Sequence, residues 1–159
     1  MPNPIEVLYE DQYLIVFNKP AGLLVIPTPK GEKNTLIHLV NQQSQSSEES
    51  ALYPCHRLDR ETSGAIIFAK GKRNQKSMMQ RFHEGVVEKK YIAFVRGRLP
   101  HTCGEICMPI RDYHQKKFAR NASPKSAVTQ YKIKAVKKGF TVAEVFPLTG
   151  RTNQIRIHF

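Results

Sequence analysis

Val128-Thr129-Gln130-Tyr131-Lys132-Ile133-Lys134-Ala135-Val136, then Lys137-Lys138-Gly139, then Phe140-Thr141-Val142-Ala143-Glu144-Val145-Phe146, is the part of this 159-residue chain whose pattern decides its fold. Tyr131, Ile133 and Ala135 alternate with Gln130, Lys132 and Lys134, the period of two expected of a half-exposed strand. The Lys-Lys-Gly turn hands over to a second apolar, β-branched run, so the two should form an antiparallel hairpin. Upstream, Tyr91 to Val95 is short and apolar on both faces, which predicts a central strand ended by Gly97. Ala65 to Ala69 and Tyr13 to Phe17 read as buried strands, the latter followed by the turn chemistry of Asn18-Lys19-Pro20-Ala21-Gly22. Leu36, Ile37 and Val40 fall at helical spacing behind an Asn34 or Thr35 cap. A second helix is predicted over Asn74 to His83, with Met78, Met79 and Phe82 on one face. The polar stretch Gln42 to Ser50 between them reads as a mobile loop. There is no internal repeat and no dividing linker. The expected fold is a single α+β domain with a mixed, mostly antiparallel β-sheet and flanking helices.

Composition narrows the partners. Twenty-five Lys plus Arg against 13 Asp plus Glu give a formal charge of +12, which favours a polyanion through counterion release. Nucleic acid leads and an anionic membrane surface trails. The cations are spread through Lys70-Gly71-Lys72-Arg73, Lys89-Lys90, Arg96, Arg98, Lys116-Lys117, Arg120, Lys132, Lys134, Lys137 and Lys138, which argues against a detachable basic tail. Apolar runs are strand-sized, far short of the ~20 residues a membrane helix needs. Cys55, Cys103 and Cys107 cannot all pair within one chain, and no secretory leader is visible, so a reduced, cytoplasmic protein is expected. His101, Cys103 and Cys107 lack a second Cys pair at zinc-site spacing, and no glycine-rich phosphate loop is present. A metal site is not expected.

The chemically unusual segment is His56-Arg57-Leu58-Asp59-Arg60-Glu61-Thr62-Ser63-Gly64. Asp59 lies between two arginines, ahead of a turn and a buried strand. Nearby guanidinium groups favour an ionised carboxylate, so the loop could present a persistent anion within a polyanion-binding surface. The same local pattern also fits a surface loop acid balanced by its neighbours.

This segment resembles the H-R-L-D-x-x-T-S-G signature of RluA-type RNA pseudouridine synthases at every fixed position. Other stretches resemble further landmarks of that family in order: Asp11 to Pro27 its opening motif, Lys90-Tyr91-Ile92-Ala93 through Gly97 its tyrosine-bearing strand, Ala127 to Tyr131 its late A-x-T-x-Y strand, and Thr149 to His158 its third motif. The resemblance implies isomerisation of specific uridines to pseudouridine in structured RNA, ribosomal or transfer, without metal or cofactor. A monomer is expected. The base must leave its stack first. By the resemblance Asp59 is the essential carboxylate, acting on the ribose as nucleophile or as base. Arg156 pairs with it, and Tyr91 packs against the uracil. Arg57 fills the space left by the flipped base, and RNA contacts also fall to His56, Arg60, Thr62, Lys19, Arg151 and Asn153.

Two departures accompany the match. Asn153 stands where the family usually has histidine. Related domains also continue past the third motif, so a chain ending at Phe159 is expected to lack a C-terminal part, at a cost to stability, activity or both. That part begins in a segment whose alternation, Gln154 to Phe159, reads as a strand, whereas the resemblance makes it a helix. Only residues 1–10 precede the first motif, so no N-terminal accessory RNA-binding domain is expected. Two other classes remain open. A non-catalytic RNA-binding module would use basic residues interleaved with Tyr113, Phe118 and Tyr131, and a nucleoside hydrolase shares the need for a carboxylate at the ribose but leaves the basic surface unexplained.

Overall fold

The computed structural model describes residues 4–44, 51–111 and 123–159, so most of the loop predicted over Gln42 to Ser50, and Tyr113 and Phe118, lie outside the described residues. Two compact units form, Met1–Val86 and Val87–Phe159.

In the first unit, β1 (Val7–Glu10) and β2 (Leu14–Lys19) join through a turn held by Asp11, whose Oδ1 accepts the main-chain N–H groups of Tyr13 and Leu14, both at 2.7 Å. Helix α1 (Leu36–Gln43) follows, with Thr35 as its extended N-cap and Leu36 and Val40 buried. The Thr35 hydroxyl faces His38 Nδ1 at 2.7 Å in place of a backbone cap. Then come β3 (Leu52–Pro54), β4 (Gly64–Lys70) and α2 (Lys72–His83). The strands make an antiparallel sheet in the order β1-β2-β4-β3. Phe17 and Phe68, both fully buried, meet edge-on with centroids 5.5 Å apart. Side chains of this size each contribute roughly 1.5–3 kcal/mol on burial. Helix α2 buries no residue completely. Met78 and Phe82 are half-buried but Met79 is half exposed, so the covered face is narrower than the sequence pattern predicts.

The second unit holds β5 (Tyr91–Arg96), β6 (Cys103–Cys107), β7 (Val128–Lys137), β8 (Phe140–Pro147) and α3 (Gln154–His158). Its sheet runs β5-β8-β7-β6. The hairpin predicted from alternation is β7–β8, with a bulge between Ile133 and Ala135. Among the described residues every strand pairing is antiparallel. The run predicted as a central strand lies instead at the edge of this sheet. An unbroken apolar run meant Ala93 and Val95 turned toward the core, with Ile92 and Phe94 on the exposed face. The last segment is helical, as the resemblance implied, with Ile155 and Phe159 packed on a core of Tyr131, Ala143 and Val145. Tyr131 is thus a core residue touching Phe159 edge-on at 5.5 Å, which removes it from the aromatic side chains offered to RNA. Among the described residues no helix is long and apolar enough to cross a membrane.

Candidate active site

Residues 55–63 link β3 to β4 and carry Asp59. The link is tied down at several points. Cys55 N–H donates to the Ile67 carbonyl at 2.9 Å, and Ile67 N–H donates to His56 Nε2 at 3.0 Å. The imidazole thus substitutes for the main-chain acceptor that would continue the ladder between the strands. Because Nε2 accepts, its lone pair is exposed to the donor and the proton of the neutral ring resides on Nδ1. The ring also lies 4.6 Å from that of Phe82 on α2, tilted by 35°. Leu58 is buried while Arg57 and Arg60 on either side are exposed, so an apolar anchor fixes the alternation that brings Asp59, half-buried, to the next position. Thr62 N–H closes the turn onto the Asp59 carbonyl at 3.1 Å.

Beneath this turn sits Lys19, with 0% of its surface exposed. Its Nζ donates to the carbonyls of Pro20 at 2.9 Å, Leu23 at 2.8 Å and Arg60 at 3.0 Å. All three ammonium donors are used. Burial pulls its pKa below the ordinary lysine value, opposed by the charges of Glu61 and Asp59. Arg60 reciprocates from above, its Nε donating to the Gly22 carbonyl at 3.0 Å. The two loops after β2 and before β4 are thereby stitched together at two places. The resemblance placed Lys19 among the RNA contacts; its side chain lies inside, holding backbone. Arg60 stands 3.8 Å from Glu61, both well exposed, a pair worth little in water. Among the described residues no ion pair joins Asp59 to a cation, so the flanking arginines read from the sequence are neighbours in the chain without being its partners. Cys55, next to His56, is buried and its thiol is pushed up to about 11, which keeps it protonated and unfit as a nucleophile.

The remaining candidates belong to the second unit. Tyr91 opens β5, half-buried against the core of Tyr131, Ala143 and Val145. Ile155 of α3 packs on the same core, so Tyr91 and the helix bearing Arg156 share one face of the sheet. The Arg156 side chain is exposed. The turn entering α3 is built on Gln154, which is nearly completely buried. Its Oε1 accepts from the Thr149 hydroxyl at 2.7 Å and the Arg151 N–H at 3.0 Å. Its Nε2 donates to the Val128 carbonyl at 3.0 Å and to Thr129 Oγ1 at 2.9 Å. Arg151 directs Nε to the Ser126 carbonyl at 3.0 Å. Asn153 takes the left-handed conformation, φ 56°, which asparagine adopts at less cost than most residues. That backbone requirement gives a physical reason for asparagine at a position where a histidine was expected. Gln154 was not singled out from the sequence. A glutamine between Asn153 and Ile155, within the third-motif stretch, was its only trace.

The structure thus gathers His56, Arg57, Asp59, Arg60, Thr62 and Lys19 in the first unit, and Tyr91, Arg151, Asn153 and Arg156 in the second.

Comparison with known proteins gives a consistent result. The family model described as RNA pseudouridylate synthase matches residues 13–159. The chain is 34% identical over 159 residues to an uncharacterized RNA pseudouridine synthase of Bacillus subtilis, covering 97% of this chain and 53% of that protein. It is 36% identical over 157 residues to the ribosomal large subunit pseudouridine synthase C of Buchnera aphidicola, covering 96% and 49%. With the tRNA pseudouridine synthase C of Haemophilus ducreyi it shares 33% over 168 residues, covering 97% and 68%. Among solved structures, human RNA pseudouridylate synthase domain containing 4 superposes with a TM-score of 0.79 at 26% identity, covering 96% of this chain and 62% of that one. The chain spans about half the length of the first two relatives.

Proposed function

This chain belongs to the RNA pseudouridylate synthase family, of RluA type, and we propose that it isomerises uridines to pseudouridine in structured ribosomal or transfer RNA, with Asp59 as the carboxylate that acts on the ribose. The observation that carries this is the braced turn: an unbroken signature motif whose acid is set on a loop fastened through His56, Leu58, Arg60 and Lys19. Catalytic groups need supports that hold them to fractions of an ångström.

In the reaction, the N1–C1′ bond breaks, the uracil turns while still bound, and C5 bonds to C1′; the C5 proton leaves and N1 gains one. Asp59 serves either as nucleophile at the ribose or as base. During the reaction Arg156 is the guanidinium assigned to keep this carboxylate ionised and oriented. Tyr91 packs against the turning base, and Arg57 occupies the gap left in the RNA, where its flat guanidinium can stack. Contacts to RNA are assigned to Arg60, Thr62, Arg151, Asn153 and His56. Both units serve as parts of one catalytic domain, working as a monomer in the cytoplasm.

RNA carrying tritium at uridine C5 tests the reading. Isomerisation releases label while uracil stays attached. Asp59→Asn should abolish release and keep RNA binding. Turnover unchanged in that variant would remove Asp59 from the role, free uracil would indicate a hydrolase, and binding without release in the parent protein would make the chain a binding module.

A further inference from the structure

We propose that the solvent face of the second sheet, across β5, β8 and β7, is a stacking platform for unpaired nucleotides of RNA, built from residues other than those of the Asp59 loop. Directly opposed residues of an antiparallel pair point to the same face. The register opposes Ile92 to Glu144, Phe94 to Val142 and Arg96 to Phe140 between β5 and β8, and Glu144 to Lys132, Val142 to Ala135 and Phe140 to Lys137 between β8 and β7. This face is the reverse of the one covered by α3, whose contacts are to the core of Tyr131, Ala143 and Val145.

At its centre Phe94 is 73% exposed and Phe140 37%, with ring centroids 6.1 Å apart and planes at 51°. An aromatic ring that far into water loses the benefit of burial, and two together form a surface on which base faces can lie. Cations surround them. Arg96 and Lys137 flank Phe140 in register, and Lys132 lies further along β7, all three exposed. Lys134, the extra residue at the bulge, and Lys90 both reach Glu144, at 3.5 and 3.9 Å, so the acid beside the platform is already neutralised. A second acid of this face, Glu105, is at the far edge on β6 and bonds Gln130. Exposed aromatics amid cations with little opposing charge are the chemistry of single-strand recognition: rings stack on bases and cations follow the phosphates. A duplex hides its base faces and cannot use the rings. The platform extends the RNA partner proposed above and rests on that reading.

The test uses the full chain and a fluorescein-labelled single-stranded 12-nucleotide RNA, with a blunt RNA duplex as control. Wild type should favour the single strand. Phe94→Ala should weaken single-strand binding roughly 5- to 150-fold, the loss typical of one stacked base, and Phe94→Tyr should restore it. Arg96→Gln with Lys137→Gln should flatten the dependence of log affinity on log salt by about 1.4, two phosphates' worth for a single strand. Circular dichroism and sedimentation accompany each variant. Unchanged affinity in a folded Phe94→Ala protein overturns the platform. So does finding that wild type self-associates and Phe94→Ala does not, which would assign the face to a second copy of the chain. Tritium release with Asp59→Asn reports separately on the catalytic reading, so either proposal can fail alone.

Discussion

Lys19 stands at the end of β2, where a core strand would ordinarily place an apolar side chain, and spends its three donors on carbonyls of two loops. Lys19→Met fills a similar volume without donors. Leaving buried carbonyls unpaired costs about 1–3 kcal/mol each where water cannot reach them, so the variant should unfold at lower urea and lose turnover beyond what its folded fraction explains. Equal loss of both would reduce Lys19 to a stability residue. Asp11 offers a pH test with a defined sign. Main-chain N–H bonds from Tyr13 and then Leu14 hold its carboxyl below the ordinary value of 3.8. A depressed folded pKa means that the charged form stabilises the fold above the unfolded value, and that this contribution fades as pH drops from 3.8 through the folded pKa. The midpoint difference between wild type and Asp11→Asn should therefore be largest near neutrality and close toward pH 2. A gap that widens on acidification would contradict the assignment.

At the level of elements, the turn into α3 depends on Gln154. Its amide satisfies two hydroxyls and two main-chain groups. Gln154→Ala should cost about 2–4 kcal/mol, since unpaired buried polar groups are expensive, measurable by urea denaturation; a change under half a kcal/mol would show that water replaces the side chain readily. The β7–β8 hairpin was legible because alternation carries both the element type and its face. The edge position of β5 was not. An apolar run reports that side chains avoid water on average, while Phe94 is placed by which strands pair beside it. Helix α3 was misread by alternation alone, since five residues hold little more than one turn, too few for the period of 3.6 to separate from 2.

For the whole molecule, burial sorts the three thiols. Cys55 is buried with its thiol pushed up to about 11, while Cys103 and Cys107 are exposed on β6. Native protein at pH 8 should expose two alkylatable thiols and protect the third until guanidinium unfolds it; three fast thiols would mean that the Cys55 environment opens readily. The +12 charge, the signature at 56–64 and the hairpin pattern come from residue identity and short-range periodicity, so the sequence by itself determined the family, the identity of Asp59 as the candidate acid and the expectation of a polyanionic partner. Tertiary structure alone decided that Lys19 and Tyr131 face inward, that His56 serves as a backbone acceptor and that Phe94 and Phe140 lie in water. Burial and pairing are properties of residues far apart in the chain: whether a lysine meets solvent or three carbonyls depends on where a loop 41 residues away comes to rest.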